Sequence, residues 1–348
     1  MAARHRTPTM WDVARAAGVS QATVSIVLKG DPGSRVSATT VERINDAVQA
    51  LGYRPNATAK ALRERVAELV GFIGDEVASA PFAGEIVEGA QERAWQDGQL
   101  LLVVNTGGRR DLEQAAVEQM LSHQVRRFIY ASMYNRPVTL PPSLESEEVV
   151  ILNAVDPSGT TWSVSPDEVE GGRAATRRLI DAGHRRIAMI DIQTLESRLP
   201  AAVGRYEGYV AALEDAGLGI DPELVRFGGG SPEHGFEHAG ALMDQAAPPT
   251  AIFCANDRTA WGAYQALTER GLRIPDDVSI VGFDNQETVA PFLRPALTTM
   301  NLPFRDMGWA AADLLLTGGA ARKGKARSMR LRCELVERDS VATPRERA

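Results

Sequence analysis

Residues 10–30, "MWDVARAAGVSQATVSIVLKG", read as two very short helices joined by three residues. Isolated helices below ~12–15 residues are marginal in water, so packing must hold these two. Thr9 stands where it can cap the first helix, and Asp12 follows at the spacing of a capping box. Met10, Val13, Ala14 and Ala17 recur at helical spacing, and Gly18 supplies the left-handed residue that ends a helix. Val19 bridges, and Ser20 caps a second helix running from Gln21 to Lys29. That helix carries Val24, Val27 and Leu28 on one face and Gln21, Ala22, Ser25, Ile26 and Lys29 on the other. Two short helices around a glycine-containing turn have the layout of a helix-turn-helix, whose second helix enters the DNA major groove. A third helix follows. It starts at Ser37 or Thr39, lines one face with Val41, Ile44, Val48 and Leu51, and stops at Gly52.

Charge supports a nucleic-acid partner for this segment. Residues 1–63 hold nine Lys/Arg and four Asp/Glu, a net of +5, whereas the whole chain is −7, which leaves −12 for the remainder. A basic head on an acidic body is the asymmetry expected of a DNA-binding segment attached to something that avoids DNA. With 348 residues and 44% hydrophobic composition, the chain is long and apolar enough for two to three cores. No run approaches the ~18 apolar residues of a membrane span, and "MAARHRTPTMWDV" lacks the apolar stretch of a signal peptide. Cys254 and Cys333 have no metal or redox spacing, which fits a reducing cytoplasm.

Beyond residue 63 the pattern changes to strands alternating with amphipathic helices. "LVGFIG" (69–74), "LLLVVNT", "RFIYAS" and "VVILNAV" read as strands of a first series. A second series begins near Trp162 and includes "RIAMID", "ELVRFGG", "TAIFCAN" and "VSIVGFD", with "MRLRCELVE" as a last strand pattern. Alternation of this kind predicts an α/β fold with two doubly wound parallel-sheet lobes. Ligands of such sheets bind beyond the carboxyl ends of the strands, so two facing lobes share one cleft. The expected organisation is a head at 1–54 and a helical linker at 55–64. A first lobe spans 65–160 and 290–322, and a second spans 161–289 and 323–342. The linker, in "YRPNATAKALRERVAE", is Ala-rich and weakly apolar, a segment that can be helical without being stable.

In this order the fragments resemble the lactose-repressor (LacI/GalR) family of bacterial transcription regulators, over essentially the whole chain. The head carries the resemblance in "DVARAAGVSQATVSIVLKG" and "VSATTVERINDAVQALGYRPN". The body carries it in "GHRRIAMI", "GRYEGYVAAL", "AIFCANDRTAWGAYQAL", "IPDDVSIVGFDN" and "PALTTM". The resemblance implies a helix-turn-helix head, a hinge helix and two lobes like those of periplasmic sugar-binding proteins. It implies a homodimer on a near-palindromic operator, a small effector such as a sugar, and no enzymatic activity, cofactor or membrane. Gln21 and Ala22 match the family's base-contacting positions, while Ser20, Thr23 and Ser25 match backbone or packing positions. Thr9, Tyr53, Asn56 and Ala59 join the DNA-facing set, and Leu62 matches the leucine that wedges into the minor groove. Ile26 departs from a frequent Arg and offers only apolar contact, for example to a thymine methyl. Lys29 replaces a frequent Asn and suits a phosphate.

In the cleft, Arg205, Asn256 and Asp284 match the family's effector positions, a donor and acceptor set suited to vicinal hydroxyls. Phe82 and Asp167 are further candidates. Capping after a strand is the structural alternative for Asn256 and Asp284. Where the family often stacks an aromatic on its ligand, this chain has Gly228, Gly229 and Gly230. Either another aromatic covers that face or the effector differs in size or shape. His234, Glu237 and His238 spell a zinc-protease pattern, H-x-x-E-H, without an evident third ligand, so no metal is expected. His184 sits at a helix-to-strand turn and reads as structural. The basic run 317–327 reads as a solvated crossover loop. The competing functions are a small-molecule-binding protein or a metal-dependent enzyme with an incidental basic head. The first predicts a signal peptide and the second predicts catalytic spacings. The end "RDSVATPRERA" carries no leucine heptad, so a dimer joined through the body is expected.

Overall fold

The computed structural model describes residues 8–29, 36–53, 69–77, 84–319 and 328–345. The chain divides into two compact units, Met1–Ala67 and Glu68–Ala348. Asn56, Ala59, Leu62 and Phe82, the linker 55–64 and the side chain of Lys29 lie outside the described residues.

Three helices make the first unit: α1 (Met10–Ala17), α2 (Gln21–Lys29) and α3 (Ala38–Leu51). The Thr9 hydroxyl accepts from Asp12 N, and the Asp12 carboxylate accepts from Thr9 N at 2.9 Å, a complete capping box. Gly18 (φ 65°) and Gly52 (φ 60°) end α1 and α3 in the left-handed region. Thr23 N donates to Ser20 Oγ at 3.1 Å, and Thr40 N to Ser37 Oγ at 3.3 Å. These caps satisfy helix-end donors that are otherwise orphaned, and a shared core of Val13, Ala14, Ala17, Val24, Ile44, Ala47 and Tyr53 holds the helices together. Two expectations are corrected. Leu51 is exposed rather than buried, because α3 stops there and Tyr53 N bonds back to the Val48 carbonyl. Tyr53, expected at the DNA-facing surface, therefore folds into the head's core.

The second unit holds two six-stranded sheets. The first contains β1 (Leu69–Gly74), β2 (Leu100–Asn105), β3 (Arg127–Ala131), β4 (Glu148–Leu152), β5 (Trp162–Pro166) and β11 (Ser328–Leu331), in the order β11-β5-β4-β3-β1-β2. The second contains β6 (Ile187–Asp191), β7 (Val225–Phe227), β8 (Ala251–Cys254), β9 (Ser279–Asp284), β10 (Thr298–Asn301) and β12 (Glu334–Val336), in the order β12-β10-β9-β8-β6-β7. All pairings are parallel except β10 with β12. The chain crosses between the sheets after β5, after β10 and between β11 and β12.

These crossings correct the expected lobe boundaries. Trp162–Pro166 pairs with β4 in the first sheet, not the second. Thr298–Asn301 belongs to the second sheet, and Ser328–Leu331 to the first. "MRLRCELVE" is therefore two strands in different sheets, with the buried Cys333 at the crossing. Periodicity cannot reveal such a crossing, since both pieces alternate like one strand.

Helices pack on the sheets as close pairs. In the first lobe, α4 (Gly84–Gln96) and α5 (Arg110–Ser122) follow β1 and β2, and α4 packs against α10 (Phe304–Leu316). In the second lobe α6 (Glu168–Asp181) pairs with α7 (Pro200–Asp215), and α8 (Pro232–Met243) with α9 (Asp257–Glu269). Reciprocal glycines permit this approach. A Cβ on Gly172 would overlap the Arg205 carbonyl oxygen, and one on Gly208 would overlap that of Val169. Backbone-to-backbone packing of α6 on α7 thus brings the start of α6 against Arg205.

Candidate functional site

Within the head, Gln21, Ala22 and Ile26 are exposed on α2, and Ile26 keeps 41% of its surface in solvent. Ser25 and Thr23 are half-buried, and Thr9 and Ser20 are exposed caps. The same helix turns Val24 fully into the core. Gln21, Ala22 and Ile26 thus form an exposed, uncharged strip on α2. Trp11, half exposed with the Arg15 guanidinium 4.7 Å from its ring centre, adds an aromatic that the sequence reading passed over.

The second site lies at the carboxyl end of the second sheet. Arg205, on α7, is only 4% exposed. Its Nε donates to Glu168 Oε2 at 2.8 Å, and its Nη1 donates to the Ala255 carbonyl and reaches Asp284 Oδ1 at 3.4 Å. The guanidinium lies 3.9 Å from the Phe283 ring centre. Burial works against the Arg205 charge, but Glu168 and Asp284 hold the guanidinium above its ordinary pKa. Burial pushes the Asp284 carboxyl up to about 6, although Arg205 pulls it down. Arg205 and Asp284, both named from sequence as effector candidates, are in contact.

Asp284 and Asn285 both have positive φ, 102° and 56°. Strain of this kind costs of order 1–3 kcal/mol per residue and persists only where the surroundings enforce it. Here the surroundings do. Gln286 Nε2 donates to Asp284 Oδ2 at 2.9 Å, and Gln286 N to Asp257 Oδ2 at 2.6 Å. Asn285 donates to Asn301 Oδ1 and accepts from Arg338 Nη2.

Asn256 caps α9: its Oδ1 accepts from Thr259 N at 2.7 Å, and its Nδ2 donates to the Gly230 carbonyl at 2.9 Å. The capping alternative therefore holds for Asn256. Asp167 caps α6 in the same way through Glu170 N. Gly228 and Gly229 are explained by what lies beneath them. A Cβ there would stand 2.8 Å from His238 Nε2 and 2.7 Å from His234 Cε1. The two imidazoles fill the space that a larger loop side chain would need. His238 Nε2 is bonded to the Phe227 carbonyl, and His234 Nδ1 to Ser231 Oγ. Among the described residues no group of three His, Cys, Asp or Glu could hold a metal ion. His184 bridges Thr250 Oγ1 and the Ala342 carbonyl, a structural role.

Sequence reasoning missed three buried carboxyls: Glu168 and Asp191, which interact with Arg205, and Asp257, which interacts with Asp284. Asp257 accepts from Thr299 Oγ1 at 2.6 Å, and burial pushes its carboxyl well above the ordinary range. The available signal was positional. "RIAMID" ends in an acid, and "FCAND" places one just past its strand, both at the ligand-binding ends of parallel strands. On the first lobe, Asp75 follows β1 and accepts from Ser132 Oγ, Met133 N and Arg136 Nη2. Burial would raise its carboxyl, but these donors together with Glu76 N hold it below the usual range. A cavity of about 610 Å³ opens beside Asp75 and Arg136, away from Arg205, Asn256 and Asp284.

Comparison with known proteins follows the same division. Residues 9–56 match the model of bacterial regulatory proteins of the lacI family, and residues 176–341 match a periplasmic binding protein-like domain. The HTH-type transcriptional repressor PurR of Pasteurella multocida (strain Pm70) is 32% identical over 335 residues, 96% of this chain and 98% of its own. The HTH-type transcriptional regulator GalR of Escherichia coli (strain K12) is 32% identical over 337 residues, 97% and 96% respectively. The crystal structure of the lac repressor dimer bound to operator and the anti-inducer ONPF is similar with a TM-score of 0.80 and 30% identity. That match covers 97% of this chain and 100% of the other. The chain belongs to the lacI family of bacterial regulatory proteins. It is a DNA-binding transcriptional regulator with a ligand-binding body, and not an enzyme. No helix among the described residues is long and apolar enough to cross a membrane.

Proposed function

We propose that this chain is a cytoplasmic homodimeric repressor whose operator affinity is set by a small polyhydroxylated effector at the Arg205 cluster. One observation carries the effector part: all three segments that cross between the lobes touch that cluster. The first crossing contributes Glu168, which pairs with Arg205. The second reaches it where Leu302 N donates to the Asp284 carbonyl. The third passes through Cys333, whose Cβ lies against Gly171 and whose thiol feels the Glu168 and Arg205 charges. A ligand that rearranges hydrogen bonds at Arg205 and Asp284 therefore acts directly on the crossings and biases the angle between lobes. The head responds through the linker, where Asn56, Ala59 and Leu62 are assigned to the minor groove and Leu62 is the wedge.

Gln21, Ala22 and Ile26 supply the base contacts, Thr9, Ser20, Thr23 and Ser25 position the backbone, and Lys29 meets phosphate. Selection of binding sites from random duplexes tests this. The wild-type chain is expected to select a near-palindrome, and Ile26→Arg to add a guanine preference at one position of each half-site. A bidentate Arg–guanine pair is worth about 1–3 kcal/mol of discrimination. Identical selected sites for both chains would remove α2 from the major groove.

The dimer reading is supported by large apolar side chains left in solvent on the body: Trp95, Leu100 and Leu102 on the first lobe, Trp261 and Phe292 on the second. Large apolar side chains left in solvent are candidates for an interface between copies of the chain. Sedimentation at micromolar concentration is expected to give a dimer, and Leu102→Asp with Phe292→Asp to give a monomer. A wild-type monomer or tetramer would contradict it.

A further inference from the structure

The strand β6 ends in a buried carboxylate that Ile192 N and the backbone of Gln193 stabilise, yet its second oxygen has no hydrogen-bond partner among the described residues. Asp191 is 1% exposed. Its Oδ1 accepts from Ile192 N at 2.6 Å, while Oδ2 is buried without a hydrogen-bond partner among the described residues. A buried acceptor left in this way forfeits its hydration and receives nothing in return. Such orphans are rare in folded proteins and call for a specific explanation.

The surroundings supply one. Asp191 lies at the same carboxyl edge as the Arg205 cluster. Gly228 N donates to the Asp191 carbonyl at 3.2 Å, and Ala255 N to the neighbouring Ile190 carbonyl at 2.9 Å. Gly230 stands between Ile192 and Asn256 Nδ2. The charges of Arg205 and Glu168 both act on the Asp191 carboxyl. Arg205 compensates it only in part: its charge acts on Asp191 from a distance, while its Nε and Nη1 hydrogen-bond Glu168, the Ala255 carbonyl and Asp284. Glu168, Asp284 and Asp191 are three carboxyls acting on one buried guanidinium, and Arg258 adds one further cation acting on Asp284. The edge therefore holds one more carboxyl than cation, at the end of the sheet where parallel strands bind ligands.

We propose that Asp191 is a specificity-determining residue: its free Oδ2 receives a hydrogen bond from a basic nitrogen of the effector, which is an aminated polyhydroxylated molecule of the amino-sugar class. This rests on the cleft reading above and narrows it. Hydroxyls of the ligand meet Arg205 and Asp284, and its ammonium group neutralises Asp191. Burial pushes the Asp191 carboxyl up to about 7 although Arg205 pulls it down, and a further cation beside it would favour the ionised form.

Calorimetry on the full chain with matched probes tests the inference: glucosamine against glucose, galactosamine against galactose, and the glucosamine dimer against cellobiose. At least one aminated probe is expected to bind about tenfold or more tightly than its hydroxyl partner. Asp191→Asn keeps the acceptor for Ile192 N but turns the free position into a donor. It is expected to bring that pair within about threefold. The wild-type preference is read without any variant, so a poorly folding Asp191→Asn leaves the first measurement decisive. No aminated probe binding more tightly than its partner, including no binding at all, would overturn the proposal. So would a preference that survives Asp191→Asn. Asp284→Asn separates the two levels. Loss of probe binding in Asp284→Asn with no change in Asp191→Asn removes only Asp191. Probe binding indifferent to both removes the cleft reading with it.

Discussion

Arg205→Ala is expected to lower the thermal unfolding midpoint of the body by roughly 10 °C and to abolish effector binding at the same time. Arg205 is buried and holds Glu168, the Ala255 carbonyl and Asp284 together. Removing one partner of a buried charge network costs about 3–5 kcal/mol, because the remaining charges stay desolvated and uncompensated. Part of that cost is relieved by protonation, and Asp284 is already raised towards it. Loss of effector response in Arg205→Ala therefore mixes binding with stability. Arg205→Lys separates them. It retains the charge but not the planar fork that serves two acceptors at once, so the body should stay folded while effector affinity falls about tenfold or more. Scanning calorimetry of the full chain reads the first effect and titration the second. An unchanged midpoint in Arg205→Ala would mean that Glu168 and Asp284 do not depend on it.

Gly208→Ala is expected to destabilise the body by about 3 kcal/mol and to weaken effector binding, although position 208 touches no ligand. The added Cβ would overlap the Val169 carbonyl oxygen and crowd Arg173 N. Both are backbone atoms, so no side chain can swing away, and α6 must separate from α7. That separation draws Glu168 at the start of α6 away from Arg205 on α7. Gly219→Ala is the control: nothing stands within 4 Å of its Cβ, and its φ lies outside the left-handed region. It should be neutral or stabilising by a few tenths of a kcal/mol through the unfolded chain. Equal midpoints for the two variants in urea or thermal melts would refute the close-packed helix pair.

The head was legible from sequence almost residue by residue. Its signals, Thr9 with Asp12, Gly18, Ser20 and Gly52, are local, and capping chemistry acts within four residues. Tyr53 and Leu51 were misplaced because their burial depends on how the chain turns after Gly52, which periodicity does not encode. In the body, strand and helix existence was legible, while the lobe boundaries were not. Trp162–Pro166 and Ser328–Leu331 join the first sheet through pairings with strands far away in sequence. Arg205 and Asp284 were named by resemblance, and the fold places them in contact. Glu168, Asp191 and Asp257 were not found, because a buried acid and a surface acid look alike until the fold brings a guanidinium to one of them. The glycines at 228–230 were legible as an anomaly but not as a consequence of His234 and His238.

The central claim, that one chain couples DNA to a small ligand, is tested most directly by fluorescence anisotropy. The full chain is titrated onto a labelled duplex carrying the site it selects from random DNA, with and without the best-binding probe of the amino-sugar panel, at several salt concentrations. The expected result is saturable binding that weakens steeply with salt, as phosphate contacts by Lys and Arg require. The ligand should shift the midpoint by about fivefold or more in one direction, the lower end of ordinary coupling between sites. The direction of that shift reads whether the ligand releases or recruits the operator. Binding equal on selected and scrambled duplexes, or a midpoint indifferent to a ligand that calorimetry shows to be bound, would contradict it.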